Sequence, residues 1–366
     1  MHLRRLLSLV FILCFVTLKA QTQKSSTTIN PEDKDSGYSY SLSIAKQFLI
    51  QRGIEEPDLN IRYSTETYCV ISDIKKKCFV IVTSDRYMSL LDNPILAFSV
   101  GEWAWNSSSA PNNSWVKGIL DQYDSKLKYL LENNEYYTFR IKKEYLPKSL
   151  LVEPLLGDIK YNQGYPYNKL FPFAETNDGT RKAQSLAGCG PVAMAQILSY
   201  YHHPIKLKGR RAVAANSKKT YRDNLSNYPV VWDGSEDDIA NLMYGCALSV
   251  SVDMSPNATS SNIVNLRESL IKYWGYSGSC KRCKEEFDDG KLGSIYKELE
   301  NKRPIIMEGF KHFWVCDGFE QDYLHFNPGW GGSYNGFYRV MLVQSMGGKD
   351  QLPLTGMLIG IEPLDY

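Results

Sequence analysis

Apolar and polar positions alternate in short blocks along this chain, and they divide it into two stretches of different character. From about Ser39 to Tyr137 the pattern predicts a helix over Ser43–Arg52, a hairpin, and a second helix over Trp115–Leu131. The hairpin pairs Thr67-Tyr68-Cys69-Val70-Ile71 with Cys78-Phe79-Val80-Ile81-Val82 around the polar turn that holds Lys75-Lys76-Lys77. This reads as a small α+β unit, and it contains no histidine. The stretch Arg140-Ile141-Lys142-Lys143-Glu144-Tyr145-Leu146-Pro147-Lys148 is basic and broken by proline, as an exposed linker would be. Beyond Leu151 the apolar segments resume. A helix runs from Pro191 to about Tyr201, and Tyr228-Pro229-Val230-Val231-Trp232-Asp233 leads into another over Glu236–Ser249. His312–Cys316 and Tyr323–Asn327 then read as two antiparallel strands joined by a turn over Asp317–Asp322.

The first twenty residues carry Arg4-Arg5, an apolar run from Leu6 to Leu18, and Leu18-Lys19-Ala20 before Gln21. A positive start, a short apolar core and a small residue at the end are the marks of a secretory signal, so residues 1–20 are expected to be removed. The core is short for a membrane span, Cys14 lacks the small neighbours of a lipid-attachment site, and no other stretch is long and apolar enough to serve as an anchor. The expected location is outside the cytoplasm, secreted or periplasmic. Residues 21–28, Gln-Thr-Gln-Lys-Ser-Ser-Thr-Thr, read as a flexible leader.

The densest chemistry lies at Leu186-Ala187-Gly188-Cys189-Gly190-Pro191. Proline favours the first turn of a helix, so Cys189 should stand at a helix N-terminus. There, free backbone N–H groups and the positive end of the helix dipole favour a thiolate. Gly188 and Gly190 leave room for another chain to approach the sulfur. Cys189 is therefore the candidate nucleophile.

A thiol nucleophile needs a base, and the chain has five histidines. His2 lies in the signal. His202 and His203 end the helix that Cys189 begins, roughly 20 Å from it at about 1.5 Å per residue, and read as caps before Pro204. His312 and His325 remain, one on each of the two late strands. Asn327 opens Asn-Pro-Gly-Trp-Gly-Gly and suits a group that orients an imidazole beneath the indole of Trp330. The order Cys, His, Asn with a long first gap is the papain-like order.

With these motifs the chain resembles the streptopain family of bacterial papain-fold cysteine peptidases. The resemblance rests on Tyr161-Asn162-Gln163-Gly164-Tyr165-Pro166-Tyr167-Asn168, on Ala187-Gly188-Cys189 with Ala193-Met194-Ala195-Gln196, on Pro304-Ile305-Ile306-Met307 with His312 and Val315-Cys316-Asp317-Gly318, and on Asn327 with Gly329-Trp330-Gly331-Gly332. It implies an α+β, papain-like fold in which a helical half carries the cysteine helix and a twisted antiparallel sheet carries His312 and Asn327. It implies Cys189 as nucleophile, His312 as its partner, Gln163 as oxyanion donor and Trp330 as a shield over the histidine. It also implies that the loop Val252–Ser261, with Ser260, helps line the substrate cleft. Three departures stand out: Lys311 beside His312, Phe313 where the family has a small residue, and Pro328 in place of an indole. Lysine next to the imidazole would disfavour its charged form.

The resemblance gives an organisation of signal (1–20), inhibitory pro-domain (21–148) and papain-like peptidase domain (149–366). The partners expected are protein or peptide substrates and the chain's own pro-domain as intramolecular inhibitor. The formal charge of +2, with acids and bases balanced, gives no reason to invoke nucleic acid. Seven cysteines follow the signal; Cys280 and Cys283 form the one close pair, and without matching partners they make no zinc site, so no metal and no cofactor is expected. Cys69 and Cys78 are placed to face each other across the hairpin. The function expected is a secreted cysteine endopeptidase made as a zymogen. A cysteine amidase or acyltransferase on cell-wall peptides, or a catalytically silent binding homologue, are the alternatives.

Overall fold

The computed structural model describes residues 37–109, 111, 113–204, 210–216, 218–284, 288–344 and 354–364; the signal expected over residues 1–20 lies outside them. The chain forms two compact units. The first takes residues up to 110 and 123–138, and the second takes 111–122 and 139–366. The linear boundary expected at 148 thus differs from the compact one at 139, and residues 111–122, read from sequence as pro-domain, group with the second unit.

In the first unit, helix α1 (Ser39–Gln51) precedes four antiparallel strands, β1 (Asn60–Ser64), β2 (Tyr68–Asp73), β3 (Cys78–Thr83) and β4 (Ile95–Ser99), each paired with the next. Every residue of β2, β3 and β4 is buried, and each strand runs apolar without alternation until its last one or two residues, Ser72-Asp73, Thr83 and Ser99. Phe48 of α1 packs edge-on to Phe98 at 4.8 Å between ring centres. The register sets Cys69 opposite Val82 and Cys78 opposite Asp73. The two cysteines therefore do not face each other, and all seven cysteines after the signal are free thiols.

Helix α2 (Ser114–Glu132) is shared between the units, its residues to Gln122 counting with the second. Asn113 caps its start, its Oδ1 accepting the N–H of Trp115 at 2.9 Å.

The second unit is built on helix α3 (Cys189–Tyr201), which follows the small strands β5 (Leu151–Val152), β6 (Phe173–Glu175) and β7 (Lys182–Gln184). Residues 190–199 of α3 are buried on every side, as suits a helix enclosed by others and by a sheet. Its carboxyl end closes with His202 in the left-handed conformation (φ 48°). After the hairpin β8 (Arg211–Ala215) and β9 (Thr220–Asn224) come α4 (Glu236–Val250) and α5 (Ile263–Tyr273). Ser235 and Asn262 cap α4 and α5, each accepting a backbone N–H three residues on. Ser249 of α4 joins the layers by accepting from Ser269 at 2.7 Å and from the Trp274 indole at 2.9 Å.

Against these helices lies an antiparallel sheet made of β10 (Lys281–Lys284), β11 (Ile305–Gly309), β12 (His312–Glu320), β13 (Tyr323–Asn327), β14 (Gly336–Tyr338) and β15 (Gly356–Ile359), with α6 (Asp289–Glu300) and α7 (Val340–Gln344) between strands. The strand order is β14, β13, β12, β11, β15, β10. Met194, Ile197 and Leu198 of α3 share one core with Met243, Leu266, Ile306, Val315 and Leu358. The α+β architecture expected from sequence is the one observed.

The turn expected over Asp317–Asp322 is shorter than that. Strand β12 continues to Glu320, and the register shifts between Cys316 and Gly318. Asp317 sits at this irregularity and turns inward. Its Oδ1 lies 2.6 Å from Nδ1 of His325, both side chains being 1% exposed, and its Oδ2 accepts the N–H of Leu156. Gly318 has the carbonyl of Val152 against it, 2.8 Å from where a Cβ would lie. Aspartate and glycine here serve a bulge and a close strand approach, which the sequence pattern alone does not separate from a turn.

Candidate active site

Cys189 is the first residue of α3, and the backbone before it is built for glycine. Gly188 has φ of 91°, and a Cβ there would come 2.9 Å from the carbonyl oxygen of Thr259. Thr259 belongs to the 252–261 loop, which is fastened to the segment between β7 and the cysteine. Its hydroxyl donates to the Leu186 carbonyl at 2.6 Å, and Leu186 N–H donates to Ser255 at 3.0 Å. Asn257, Ala258, Thr259, Ser260 and Ser261 consequently line an open cleft of about 680 Å³ that also contains Gln163, Cys189, His312, Phe313 and Trp330. Six of the eight residues singled out from sequence line this cleft; Gly188 directly precedes Cys189, and Asn327 is not among the lining residues.

Gln163 is held by its backbone on both sides. Its carbonyl accepts Ala187 N–H at 2.9 Å, while the neighbouring Tyr161 accepts Gly331 N–H and donates its own N–H to buried Gln196 of α3. The loop is thereby tied to the cysteine helix and to the Trp330 turn at once, which leaves the Gln163 side chain at the cleft wall.

The sulfur of Cys189 receives the backbone N–H groups of Phe313, Gly190 and Cys189 itself. These favour the thiolate, but burial outweighs them and pushes the thiol above its ordinary value. His312, at the start of β12, is 7% exposed. Its Nε2 lies 2.8 Å from the carbonyl oxygen of Pro328, which requires that nitrogen to carry the proton and leaves Nδ1 as the basic site. Burial lowers its pKa to about 4, against the opposing effect of the Pro328 carbonyl. Lys311, expected from sequence to disfavour the imidazolium, has no part in this shift. Among the described residues no hydrogen bond joins Cys189 to His312, and burial favours the uncharged form of each, against the ion pair expected from sequence.

Among the described residues Asn327 makes no hydrogen bond to His312. It donates Nδ2 to the Ile159 carbonyl at 2.9 Å and accepts Gly329 N–H at 3.1 Å. The reason is register: Asn327 is opposite Val315, so the chain beyond it runs back past Trp314 and brings Pro328 and Trp330 to His312. Trp330 stacks on the imidazole at 4.4 Å and 27°. His325, by contrast, is committed to Asp317 and lies away from the cleft. Cys316 is buried in the core, with its pKa pushed well up.

Trp115 was legible from sequence only as part of a helix without chemistry. It is wholly buried against His312, Trp314, Phe326, Trp330 and Tyr338, with ring centres 5.6–6.3 Å apart. The Phe310–Lys311 turn that delivers His312 is seated on the same helix. Ser114 Oγ donates to the Phe310 carbonyl at 3.2 Å, and the Phe310 ring fills the space over Gly118. An unusual tryptophan after an Asn-Ser cap was the available signal, and nothing in its neighbours pointed to the distant histidine.

A cleft between a cysteine-bearing helix and a histidine-bearing antiparallel sheet defines the class as cysteine peptidase, and comparison with known proteins bears on the same point. A model of the peptidase C10 family matches residues 161–338. Streptopain of Streptococcus pyogenes serotype M28 is 28% identical over 296 residues, spanning 72% of this chain and 71% of that one. The thiol protease/hemagglutinin PrtT of Porphyromonas gingivalis is 26% identical over 58% of this chain, which corresponds to 26% of its own length. Among solved structures, a prointerpain A fragment of Prevotella intermedia superposes with a TM-score of 0.67 at 20% identity, covering 83% of this chain and 98% of that one. Over residues 161–338 the chain is thus similar to the streptopain, or C10, family of cysteine peptidases, and its fold is that of the prointerpain A fragment.

Proposed function

We propose that this chain is a secreted endopeptidase made as an inactive precursor, with Cys189 as nucleophile and His312 as general base. The observation that supports it most is the meeting of Cys189, His312 and Gln163 around one open cleft, with the sulfur at the start of α3 under three backbone N–H groups. In the proposed reaction the Cys189 proton passes to Nδ1 of His312 and the thiolate attacks the peptide carbonyl carbon. Gln163 and the Cys189 N–H hold the charge that develops on the carbonyl oxygen. The imidazolium then gives its proton to the leaving amine, and water, deprotonated by the same imidazole, hydrolyses the thioester. Asn327 is a positioning residue in this scheme, since it shapes the turn that presents Pro328 and Trp330. Gly188, Phe313 and Ser260 form the walls that a peptide would contact.

Latency has its own support. His312 is anchored on Pro328 and packed beside Trp115 in its uncharged form, and the thiol is uncharged as well. We assign residues 21–148 as the inhibitory segment, with activation by a cut between Arg140 and Leu151. Lys142, Lys143, Glu144, Leu146 and Lys148 there are exposed. Residues 1–20 direct secretion in this reading; among the described residues no helix is long and apolar enough to cross a membrane. The test is casein hydrolysis by the processed chain and by two variants. Cys189→Ala should be inactive and Cys316→Ala active; a folded Cys316→Ala as inactive as Cys189→Ala would contradict the assignment.

A further inference from the structure

The cleft wall carries one carboxylate for which the scheme above has no use, Glu308. It lies on β11, opposite Phe313 on β12 and opposite Gly356 on β15, so it borders the strand whose N–H reaches the Cys189 sulfur. Glu308 lines the same cavity as Cys189, and its charge is close enough to act on the thiol. Its side chain is 26% exposed. Gly356 lies against it: a Cβ there would come 3.1 Å from Oε2.

The carboxylate is poorly matched within the chain. Among the described residues it accepts no hydrogen bond, and its nearest cation, Arg282 Nη2, is 3.7 Å away. Arg282 does not line the cleft, where the charged side chains are Glu308 and Lys311, the latter exposed at the tip of the β11–β12 turn. The same wall holds Ser260, Ser261 and Thr355. The hydroxyl of Ser261 is buried and has no partner among the described residues. Thr355 donates its hydroxyl to the Glu308 backbone carbonyl at 3.0 Å, so the unpaired hydroxyl is that of Ser261. A half-buried carboxylate that accepts no hydrogen bond, beside that hydroxyl, suits an ammonium or guanidinium group arriving on a substrate.

We infer that Glu308 is a specificity-determining residue that selects peptides with a lysine or arginine close to the scissile bond. The inference rests on the proposed reading of the Cys189 cleft and assigns its substrate class. Arg282 competes for the same carboxylate and the site is partly open to water, so the preference should be about tenfold rather than larger.

The test uses the full chain after processing, with active sites counted by reaction of Cys189 with a thiol-specific peptide epoxide. Peptide sets place lysine, arginine, norleucine or glutamine at each position on either side of the scissile bond. At one position wild type should cleave the lysine and arginine peptides with kcat/KM about tenfold above the norleucine peptide. In Glu308→Gln that ratio should fall to within about twofold of unity, through loss on the cationic peptides. A wild-type enzyme indifferent to cations at every position, or a preference that survives Glu308→Gln, overturns the inference. A Glu308→Gln protein that folds but no longer takes the epoxide also counts against it, since the residue would then serve the nucleophile. A wild-type enzyme that cleaves none of the peptides contradicts the peptidase reading beneath it, a different failure with a different signature.

Discussion

His312 gives its Nε2 proton to the carbonyl of Pro328 at 2.8 Å, although Asn327, the residue before it, has a side chain suited to the task. A backbone carbonyl does here what a side-chain amide was expected to do: it selects the tautomer and leaves Nδ1 unprotonated, as the proposed base requires. The substitution is permitted because Pro328 keeps its carbonyl while lacking an N–H, and because the register past Val315 carries that carbonyl to the imidazole. Asn327→Ala should therefore act through the turn. It should lower turnover and thermal stability together, whereas loss of a direct orienting bond would lower turnover at unchanged stability. Kinetics and melting of the same variant decide between them.

The two late histidines should separate by their readouts. His312→Ala should lose essentially all peptidase activity and keep a folded precursor. His325→Ala removes the imidazole from Oδ1 of buried Asp317 and leaves only the Leu156 N–H on its Oδ2, so the variant should melt earlier. The fraction of it that remains folded should still react at Cys189. Wild-type turnover in His312→Ala would overturn the assignment of the base.

Gln163→Ala should lose turnover by about a hundredfold, because an oxyanion donor acts on charge that appears in the transition state. The backbone bonds that hold the loop do not involve its side chain, so the fold should be unchanged. An effect confined to KM would assign Gln163 to ground-state binding instead.

Burial of an uncharged imidazole gives the full-length chain a pH signature. The folded His312 resists protonation down to about 4, while in the unfolded chain it titrates near 6.5. As pH falls through that window the unfolded state takes up the proton first, so stability drops with falling pH by roughly 3 kcal/mol and levels off below about 4. Melting of Cys189→Ala precursor between pH 7.5 and 4, compared with a Cys189→Ala/His312→Gln double variant, isolates this contribution. The double variant should show the weaker pH dependence; parallel curves would mean that His312 is not its source.

Trp115 offers a direct handle on the proposed latency. Trp115→Ala removes the indole beside His312 and opens a cavity, at a cost of about 3–5 kcal/mol. The precursor of this variant should take a thiol reagent at Cys189 faster than wild type does, provided that it stays folded. An unchanged rate in a folded protein would free Trp115 of any role in restraining the site.

The sequence made some of this legible and hid the rest for physical reasons. Helix α3 announces itself, because Gly188, Cys189 and Pro191 each have a conformational meaning that holds without any neighbour. His312 emerged by elimination among five histidines, aided by Asn327 and Trp330. What stayed hidden depends on contacts far apart in the chain: the Pro328 carbonyl as acceptor, the Trp115 ring against His312, and Glu308 in the cleft wall. A backbone acceptor leaves no residue signature, and a buried tryptophan looks the same in sequence whether it packs on a core or on a catalytic imidazole. The thiolate at Cys189 was expected from the helix start alone. The structure adds the burial that reverses its sign, which no local pattern reports.

One measurement weighs most on the whole account: treat precursor and processed chain in parallel with a thiol-specific peptide epoxide, map the adduct by mass, and assay casein cleavage on the same samples. The processed chain should carry one adduct, on Cys189, with loss of casein cleavage in proportion to labelling, while uncut precursor should label slowly and cleave nothing. Labelling at another cysteine that abolishes activity, or full activity in a precursor shown to remain uncut, would contradict it.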